Sequence, residues 1–471
     1  MPSKTRSLSS IAATRELESW ANSELPAHTL MQRAGLAVAQ LAVAVAPHAR
    51  VIWIACGPGN NGGDGYEAAR HLKLWGKFPV VTADDQAARL PADAEMSRRR
   101  AIDAGVLVTA DAPSQYDLCI DAMFGIGAIR SLAPPYTDWV YRFNSGASPV
   151  LAVDIPSGLD ADSGTRRVDS VHADYTLSLL TLKPGLFTAD GRDSCGEIWF
   201  NGLGVGEPAT VCAELTGDPP SMVRAHNTHK GSFGDVGIVG GAEGMAGAAL
   251  LAAISALRGG AGRVYLGLLD QSITRLDATK PEIMFRPLNE INFESMVMVA
   301  GCGGSNSIAK HLNDILERSK QLVLDADALN AIAQDLSLQR KLISRGIRPT
   351  VLTPHPLEAA RLLGIQTVDV QSNRIVAAQE LADRFGCSVV LKGSGTIIAA
   401  PNTLPRINPT GNARLATAGT GDVLAGLIGA QLACGQHTFQ STCESVYLHG
   451  QVADHWSKSH FMTALDLAES L

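Results

Sequence analysis

Short apolar runs that end in turns rich in glycine, asparagine or aspartate, each followed by a helical pattern, recur along this chain. VIWIA (51–55) is the first, and its length and unbroken apolarity predict a buried strand. GPGNNGGDG comes next, then a helical segment through His71 and Leu74. A helix over 30–45 precedes them. Strand resumes at 78–81, and helix near 92–104, strands at 106–108 and 118–120, helix near Trp139 and strand at 150–153 continue the alternation. Strands alternating with helices predict a mostly parallel sheet covered on both faces. The 46 glycines and 5% of aromatic residues suit the tight strand-to-helix turns of such a fold.

After Gly206 the pattern loosens, and Pro208, Gly217, Pro219 and Pro220 mark a linker near 208–225. A second alternating block opens with HKGSFGDVGIVGG (229–241). It continues as helix at 246–257, strands at 264–268, 296–300, 322–325, 351–353 and 388–391, and terminal helices. With 471 residues the chain is too long for one ordinary core, so two α/β domains are expected, 1–215 and 222–471.

A hydrophobic share of 46% with 18% charged residues excludes disorder. The net charge of −7 argues against a general binder of nucleic acid or anionic membrane. Eight scattered cysteines form no C-x-x-C pair, so neither a zinc knuckle nor a disulfide framework is expected. Reduced thiols point to the cytoplasm. The N-terminus lacks a signal-peptide core, Glu16 and Glu18 oppose a transit peptide, and the apolar stretch 246–257 is too short to span a bilayer.

Gly57, Gly59 and Gly62 satisfy G-x-G-x-x-G between a strand and a helix, with Asp84 near the end of the next strand where a ribose-binding acid would stand. A dehydrogenase reading does not account for Asn60, Asn61, Gly63, Asp64 and Gly65. These put amide and carboxylate oxygens in a flexible turn, suited to a hard cation or a hydroxyl. DAMFGIG, beginning at Asp121, and DIPSG, with Asp154 and Ser157, add oxygen at two further strand ends. In parallel α/β folds such ends converge on one crevice. Each loop alone also fits an ordinary polar turn, and Asp154 alone fits an Asx turn before Pro156.

Near the C-terminus NARLATAGTGDVLAGLIG (412–429) places Gly419, Thr420 and Gly421 ahead of Asp422 and an apolar helix. Free N–H groups at such a helix start attract phosphate. A carboxylate there makes sense as the base for a hydroxyl that attacks phosphorus. DADALN adds Asp325 and Asp327, TPHP adds His355, LKGSGT puts Lys392 beside two glycines, and GCGGSN is a further glycine-rich strand end. The lysine loop is not a Walker A sequence. Capping for Asp325 and Asp327, turn packing for His355, a solvated charge for Lys392 and an N-cap for Asp422 are the plain alternatives.

GPGNNGGDG, DAMFGIG and DIPSG, in this order, resemble the NAD(P)H-hydrate epimerase domain over about residues 10–210. The resemblance implies a Rossmann-like three-layer αβα fold, with Asn60, Asn61, Gly62, Gly63 and Asp64 lining the hydrate site. It implies potassium at Asn61, Asp121 and Ser157. It gives a substrate phosphate and ribose loop of Gly125, Ile126, Gly127, Ala128, Ile129, Arg130 and Ser131, with Tyr136 and Asp154 also contacting substrate. Ile126 stands where that family usually has threonine. The chemistry needs no redox step: the ring nitrogen expels the hydroxyl, water returns from either face, and Asp154 is the acid–base candidate.

HKGSFGDVGIVGG, GMAGAALLAA, DADALN, TPHP, LKGSGT and GTGD, in this order, resemble the ADP-dependent NAD(P)H-hydrate dehydratase of ribokinase-like αβα fold over about residues 222–471. The resemblance implies an adenine nucleotide held by Lys392, Gly393, Ser394, Gly395 and Thr396. Asn412, Ala413, Arg414, Leu415, Ala416, Thr417, Ala418, Gly419, Thr420 and Gly421 form the second nucleotide segment. Ala248, Ala249, Gly303, His355 and Asp422 face the hydrate. Cys302 replaces a usual proline. Asp422 would deprotonate the hydrate hydroxyl for attack on ADP, assisted by magnesium, and phosphate would then leave. The expected partners are the hydrates NADHX and NADPHX and ADP, with no nucleic acid and no membrane; a homo-oligomer is compatible. The alternatives are a vitamin-type small-molecule kinase fused to a dinucleotide-binding domain, and a nucleotide sensor without turnover.

Overall fold

The computed structural model describes residues 5–84, 90–127, 132–167, 169–220, 225–270, 272, 279–435, 437–457 and 459–471. Two compact units emerge, one spanning Ser7–Ala213 and one built from Glu214–Leu471 together with the chain start through Arg6.

The N-terminal elements run β1 (Arg6–Leu8), α1 (Ile11–Glu24), α2 (Thr29–Val45), β2 (Val51–Cys56), α3 (Asn60–Leu74), β3 (Phe78–Ala83), α4 (Ala92–Asp103), β4 (Leu107–Thr109) and β5 (Leu118–Ala122). They continue with α5 (Tyr136–Ser145), β6 (Val150–Val153), β7 (Tyr175–Leu179), α6 (Gly191–Ser194) and β8 (Glu197–Asn201). The sheet order is β4-β3-β2-β5-β6-β7-β8, all parallel. Strand β2 is apolar throughout because both its faces are covered. Ile52 and Ile54 pack with Val38 and Ala42 of α2 and Ala68 and Leu72 of α3. Trp53 and Ala55 pack with Trp139, Val140 and Phe143 of α5. The Trp53 indole N–H, wholly buried, donates to Thr82 Oγ1 at 2.7 Å. Burial of each large aliphatic side chain here contributes roughly 1.5–3 kcal/mol.

Strand β2 has β3 on one side and β5 on the other, so the chain reverses direction across the sheet there. A crevice opens beyond the carboxyl ends at such a switch point. Residues 60, 61, 63, 64 and 65, expected in a flexible turn, instead form the first turns of α3. The reason is close approach. A Cβ on Gly62 would stand 2.0 Å from the Gly57 carbonyl oxygen, and one on Gly65 2.5 Å from Ala122 Cβ. Glycine lets the helix begin directly against the strand ends.

The C-terminal unit contains β9 (Ala213–Leu215), β10 (Asp235–Gly240), α7 (Ala246–Arg258), β11 (Arg263–Leu268), β12 (Ile283–Phe285), β13 (Val297–Ala300), α8 (Ala309–Arg318), β14 (Gln321–Leu324) and α9 (Ala326–Gln334). It goes on through α10 (Leu336–Ser344), β15 (Thr350–Leu352), α11 (Pro356–Leu363), α12 (Thr367–Ser372), α13 (Arg374–Phe385), β16 (Ser388–Leu391), β17 (Ile397–Ala400) and β18 (Thr403–Ile407). Three helices close the chain: α14 (Thr420–Ala433), α15 (Thr438–Asp454) and α16 (Ala464–Glu469). Its strands lie in the order β9-β18-β17-β16-β15-β14-β13-β10-β11-β12. Among the described pairs of that order, β16–β17 and β17–β18 are antiparallel and the others parallel. Strand β9 falls inside the stretch expected to be linker; it pairs with β18, where Glu214 meets the Arg406 guanidinium at 3.1 Å. Three residues are too few to carry a period-two signal.

Val236, Ile238, Val297, Val299, Val323 and Val351 form the core facing α7 and α14. These two helices meet closely at Gly426, where a Cβ would lie 2.0 Å from the Ala252 carbonyl oxygen. That contact brings the start of α14 to the carboxyl ends of β13, β14 and β16.

Candidate active sites

In the N-terminal unit, the turn after β2, the loop after β5 and Asp154 after β6 surround a cavity of about 610 Å³. Asn60, Asn61, Asp64, Gly125, Ile126, Gly127 and Asp154 line it. Gly62 and Gly63 do not; they fill close contacts with the Gly57 carbonyl and Met31 sulfur. Ala128, Ile129, Arg130 and Ser131 lie outside the described residues. Tyr136 is also off the cavity wall, but its ring stacks edge-on against Phe124, which is on it, at 4.7 Å.

Asp154 sits in the left-handed region at φ 67°. Such strain persists where surrounding bonds hold it. Its N–H donates to the Leu177 carbonyl at 2.8 Å, and its Oδ1 accepts the Leu179 N–H at 3.1 Å and the Lys183 ammonium. The side chain therefore bonds across to β7 and its following turn instead of closing an Asx turn before Pro156. Lys183 has no exposed surface, and it also donates to the Leu179 carbonyl at 2.7 Å. A buried ammonium requires such an anionic partner.

Beneath the cavity, Ser157 donates from its hydroxyl to Asp121 Oδ1 at 2.7 Å and from its N–H to Oδ2 at 2.8 Å. Burial pushes the Asp121 carboxyl up to about 6 despite these bonds. Asn61 Nδ2 is buried without a partner among the described residues. Burial, then the charges of Asp154 and Glu18, hold the Asp64 carboxyl well above the usual carboxylate range. Burial likewise raises Glu18.

In the C-terminal unit, Asp422 is the third residue of α14, whose N-cap is Gly419 at φ 95°. The carboxylate is thus not the helix cap. Among the described residues the backbone N–H groups of Gly421 and Asp422 have no acceptor, and the first bonded amide after them is Val423, which donates to the Gly419 carbonyl at 3.1 Å. The Lys392 ammonium donates to Asp325 Oδ1 at 2.7 Å and lies 3.3 Å from where a Cβ on Gly421 would be. Asp325 precedes α9 but does not cap it; its Oδ1 also accepts the Thr353 hydroxyl at 2.8 Å. Asp327 accepts the Ser305 N–H at 2.8 Å.

Ligand atoms of Cys302, Asp325 and Asp422 lie within 4.8 Å of one another. Burial, then Asp325, pushes the Asp422 carboxyl up to about 6. Burial, then the two aspartates, keeps the Cys302 thiol well above its usual value, so it stays protonated and hydrogen-bonds with Asp422. For Lys392 burial works against charge, but Asp325, Glu358 and Asp422 prevail and its pKa is raised. Free amides, an ammonium and a helix N-terminus thus meet a carboxylate able to accept a proton near neutrality, which is equipment for phosphoryl transfer.

Other expected residues have more structural parts. His355 caps α11, its Nδ1 accepting the N–H groups of Leu357 and Glu358 at 3.1 and 3.2 Å. Burial, then Lys392, lowers its pKa. Ala249 is buried in the core, whereas Gly303 closes against Ala248, its missing Cβ 2.8 Å from that methyl. Asn412 pins its loop through Asp454 Oδ1 at 2.8 Å, and Thr420 ties back to the Leu415 carbonyl at 2.9 Å. Ala413, Arg414, Ala416, Thr417 and Ala418 are exposed between them.

Three residues escaped the sequence reading. Lys183 was visible only as a lysine within the apolar TLKPGL. Glu18 shares the cavity wall with Thr14 and Asn22, a four-residue spacing on α1. Arg374, buried in α13, donates to the Lys392 carbonyl at 3.1 Å and supports the lysine loop; no local pattern announces it.

Comparison with known proteins gives two family matches: one described as NAD(P)H-hydrate dehydratase over residues 236–471, and one as YjeF-related protein N-terminus over residues 27–185. The bifunctional NAD(P)H-hydrate repair enzyme Nnr of Escherichia coli is 34% identical over 447 residues, covering 91% of this chain and 85% of its own. Its namesake in Vibrio cholerae is 36% identical over 455 residues, covering 92% and 89%. The ADP-dependent (S)-NAD(P)H-hydrate dehydratase of Neisseria meningitidis is 41% identical over 238 residues, covering 49% of this chain and 80% of its own.

Proposed function

The chain belongs to the family of bifunctional NAD(P)H-hydrate repair enzymes, and from that premise we propose how its two sites divide the work. The N-terminal unit interconverts the R and S hydrates of NADH and NADPH. The C-terminal unit dehydrates the S hydrate with ADP, giving AMP, phosphate and restored NAD(P)H. Free thiols, six of the eight buried, accord with a cytoplasmic setting. No helix among the described residues is long and apolar enough to cross a membrane.

The observation that carries the reading is the Asp422 carboxyl beside two free amides and the Lys392 ammonium. Asp422 takes the proton of the hydrate hydroxyl, and its oxygen forms a bond to the terminal phosphorus of ADP as the bond to AMP breaks. The amides of Gly421 and Asp422 and the ammonium stabilise the phosphoryl oxygens. Phosphate then leaves the ring carbon while the neighbouring carbon loses a proton, which restores the dihydropyridine. The two nucleotide segments, 392–396 and 412–421, flank this point. Asp325 and Asp422 offer the hard oxygens magnesium prefers, and the Cys302 sulfur does not. Bound there, magnesium would offset charge on the diphosphate.

In the N-terminal cavity Asp154 serves proton transfer in the exchange of the ring hydroxyl with water. Asn61, Asp121 and Ser157 carry the hard oxygen donors that potassium prefers. Bound potassium would orient the surrounding loops.

The test is to supply the separate R and S hydrates of NADPH with and without ADP and follow the absorbance of restored dihydronicotinamide. Recovery of both epimers only with ADP is expected. A stable phosphate ester in place of inorganic phosphate would instead identify a kinase. If only one epimer recovers beyond its spontaneous rate, the epimerase half of the reading fails.

A further inference from the structure

Four carboxyl residues, Glu18, Asp64, Asp93 and Asp154, line the N-terminal cavity, and Glu18, Asp64 and Asp154 are held differently. Asp154 Oδ1 is occupied by the Lys183 ammonium and the Leu179 N–H, while its Oδ2 has no donor among the described residues and faces the loop at Gly125, 3.5 Å from the position of a Cβ there. Glu18 accepts the Asn60 amide at 3.4 Å. Asp64 accepts no hydrogen bond from any described residue. It is the fifth residue of α3, past the helix start, where Gly59 is the N-cap, so capping does not explain it. A donor-free carboxyl at a cavity wall is most stable neutral. Burial and the two neighbouring carboxylates drive it the same way.

Inverting a hydroxyl on a ring carbon takes two proton transfers, one to the departing oxygen and one from the incoming water. A single carboxyl would have to be protonated for the first and ionised for the second. Here one carboxyl has an ammonium beside it and another has none, the kind of contrast that separates acid from base. We propose that Asp64 is a second catalytic carboxyl of this site, the proton donor to the departing hydroxyl, while Asp154 with its Lys183 partner receives the proton of the incoming water.

This rests on the epimerase reading of the cavity. The C–O bond breaks with its electron pair on oxygen, which takes the Asp64 proton and leaves as water. The ring-nitrogen lone pair forms the C=N bond of an iminium. Water then bonds to the same carbon from the other face, the C=N pair returns to nitrogen, and the released proton passes to Asp154. The opposite direction exchanges the two roles, and solvent resets the carboxyls between turnovers.

The experiment uses the full chain carrying Asp64→Asn, Asp64→Ala or Asp64→Glu, with ADP-dependent dehydration of the S hydrate as the internal control. The epimerisation kcat of the first two should fall about 100-fold or more with KM nearly unchanged. Added formate should restore Asp64→Ala but not Asp64→Asn, whose amide fills the space, and Asp64→Glu should retain more activity than either. Epimerisation by Asp64→Asn within about threefold of the parent would overturn the inference, as would a loss that neither formate nor glutamate mitigates. If Asp64→Ala unfolds the N-terminal unit, the isosteric Asp64→Asn against Asp64→Glu decides alone. A parent chain that does not epimerise at all would defeat the epimerase reading instead.

Discussion

The Lys392 ammonium and the Asp325 carboxylate, 2.7 Å apart, both face Gly421 in the first turn of α14, 3.3 and 3.9 Å from where its Cβ would be. A cation at a helix N-terminus opposes the macrodipole. Its place there is sustained by Asp325 and is suited to an arriving phosphate. Lys392→Met should raise the KM for ADP about 100-fold or more, from loss of a charge-assisted contact. It should also lower stability by about 3 kcal/mol, because Asp325 is left charged in the interior. Steady-state kinetics with ADP and denaturant unfolding check the two effects separately.

Asp422 sets a pH dependence whose sign follows from its carboxyl being pushed up to about 6. As a base it acts ionised, so ADP-dependent dehydration should fall about tenfold per pH unit below that value. The stability effect runs the other way. A carboxyl with its native pKa above the unfolded value of about 3.9 stabilises the fold when protonated, and that contribution is lost as pH rises through about 6. Asp422→Asn should therefore melt higher than the parent at pH 8, by about 2–4 °C per kcal/mol, and lose that advantage at pH 4. Paired thermal scans at the two pH values decide it.

Gly62→Ala tests the close seating of α3. The new methyl would stand 2.0 Å from the Gly57 carbonyl oxygen, a backbone atom that has little room to retreat. The substitution should destabilise the N-terminal unit by at least about 1–3 kcal/mol and reduce epimerisation. Dehydration of the S hydrate should persist, and the two activities measured on one sample report it.

Ser157→Ala removes the hydroxyl that donates to Asp121 and accepts the Phe124 N–H at 2.9 Å. Each orphaned buried group costs about 1–3 kcal/mol. The variant should be less stable by that order, and its epimerisation should no longer respond to replacing sodium with potassium.

Much of this was legible because the strands and glycine turns recur locally. Strands β2 and β6 are unbroken apolar runs, and the glycines ahead of Asp422 read as a tight helix start. Loops at the carboxyl ends of parallel strands converge by topology, so Asp121, Asp154, Asp325 and Lys392 could be named without coordinates. What stayed hidden depends on distant partners. Lys183 becomes meaningful only because β7 lies beside β6, placing the lysine's turn against Asp154. The helical state of residues 60–65 is set by contacts to Gly57 and Ala122, which override the turn preference of asparagine and glycine. Strand β9 exists through pairing with β18, nearly two hundred residues later in the sequence.

The most direct test of the phosphoryl-transfer account follows one oxygen atom. S hydrate of NADPH carrying a heavy-oxygen label in its ring hydroxyl is converted with ADP, and the products are separated. Attack of that hydroxyl on ADP places the label in inorganic phosphate, with AMP formed in equal amount and conversion abolished by Asp422→Asn. Label recovered in water, or conversion undiminished in that variant, would contradict it.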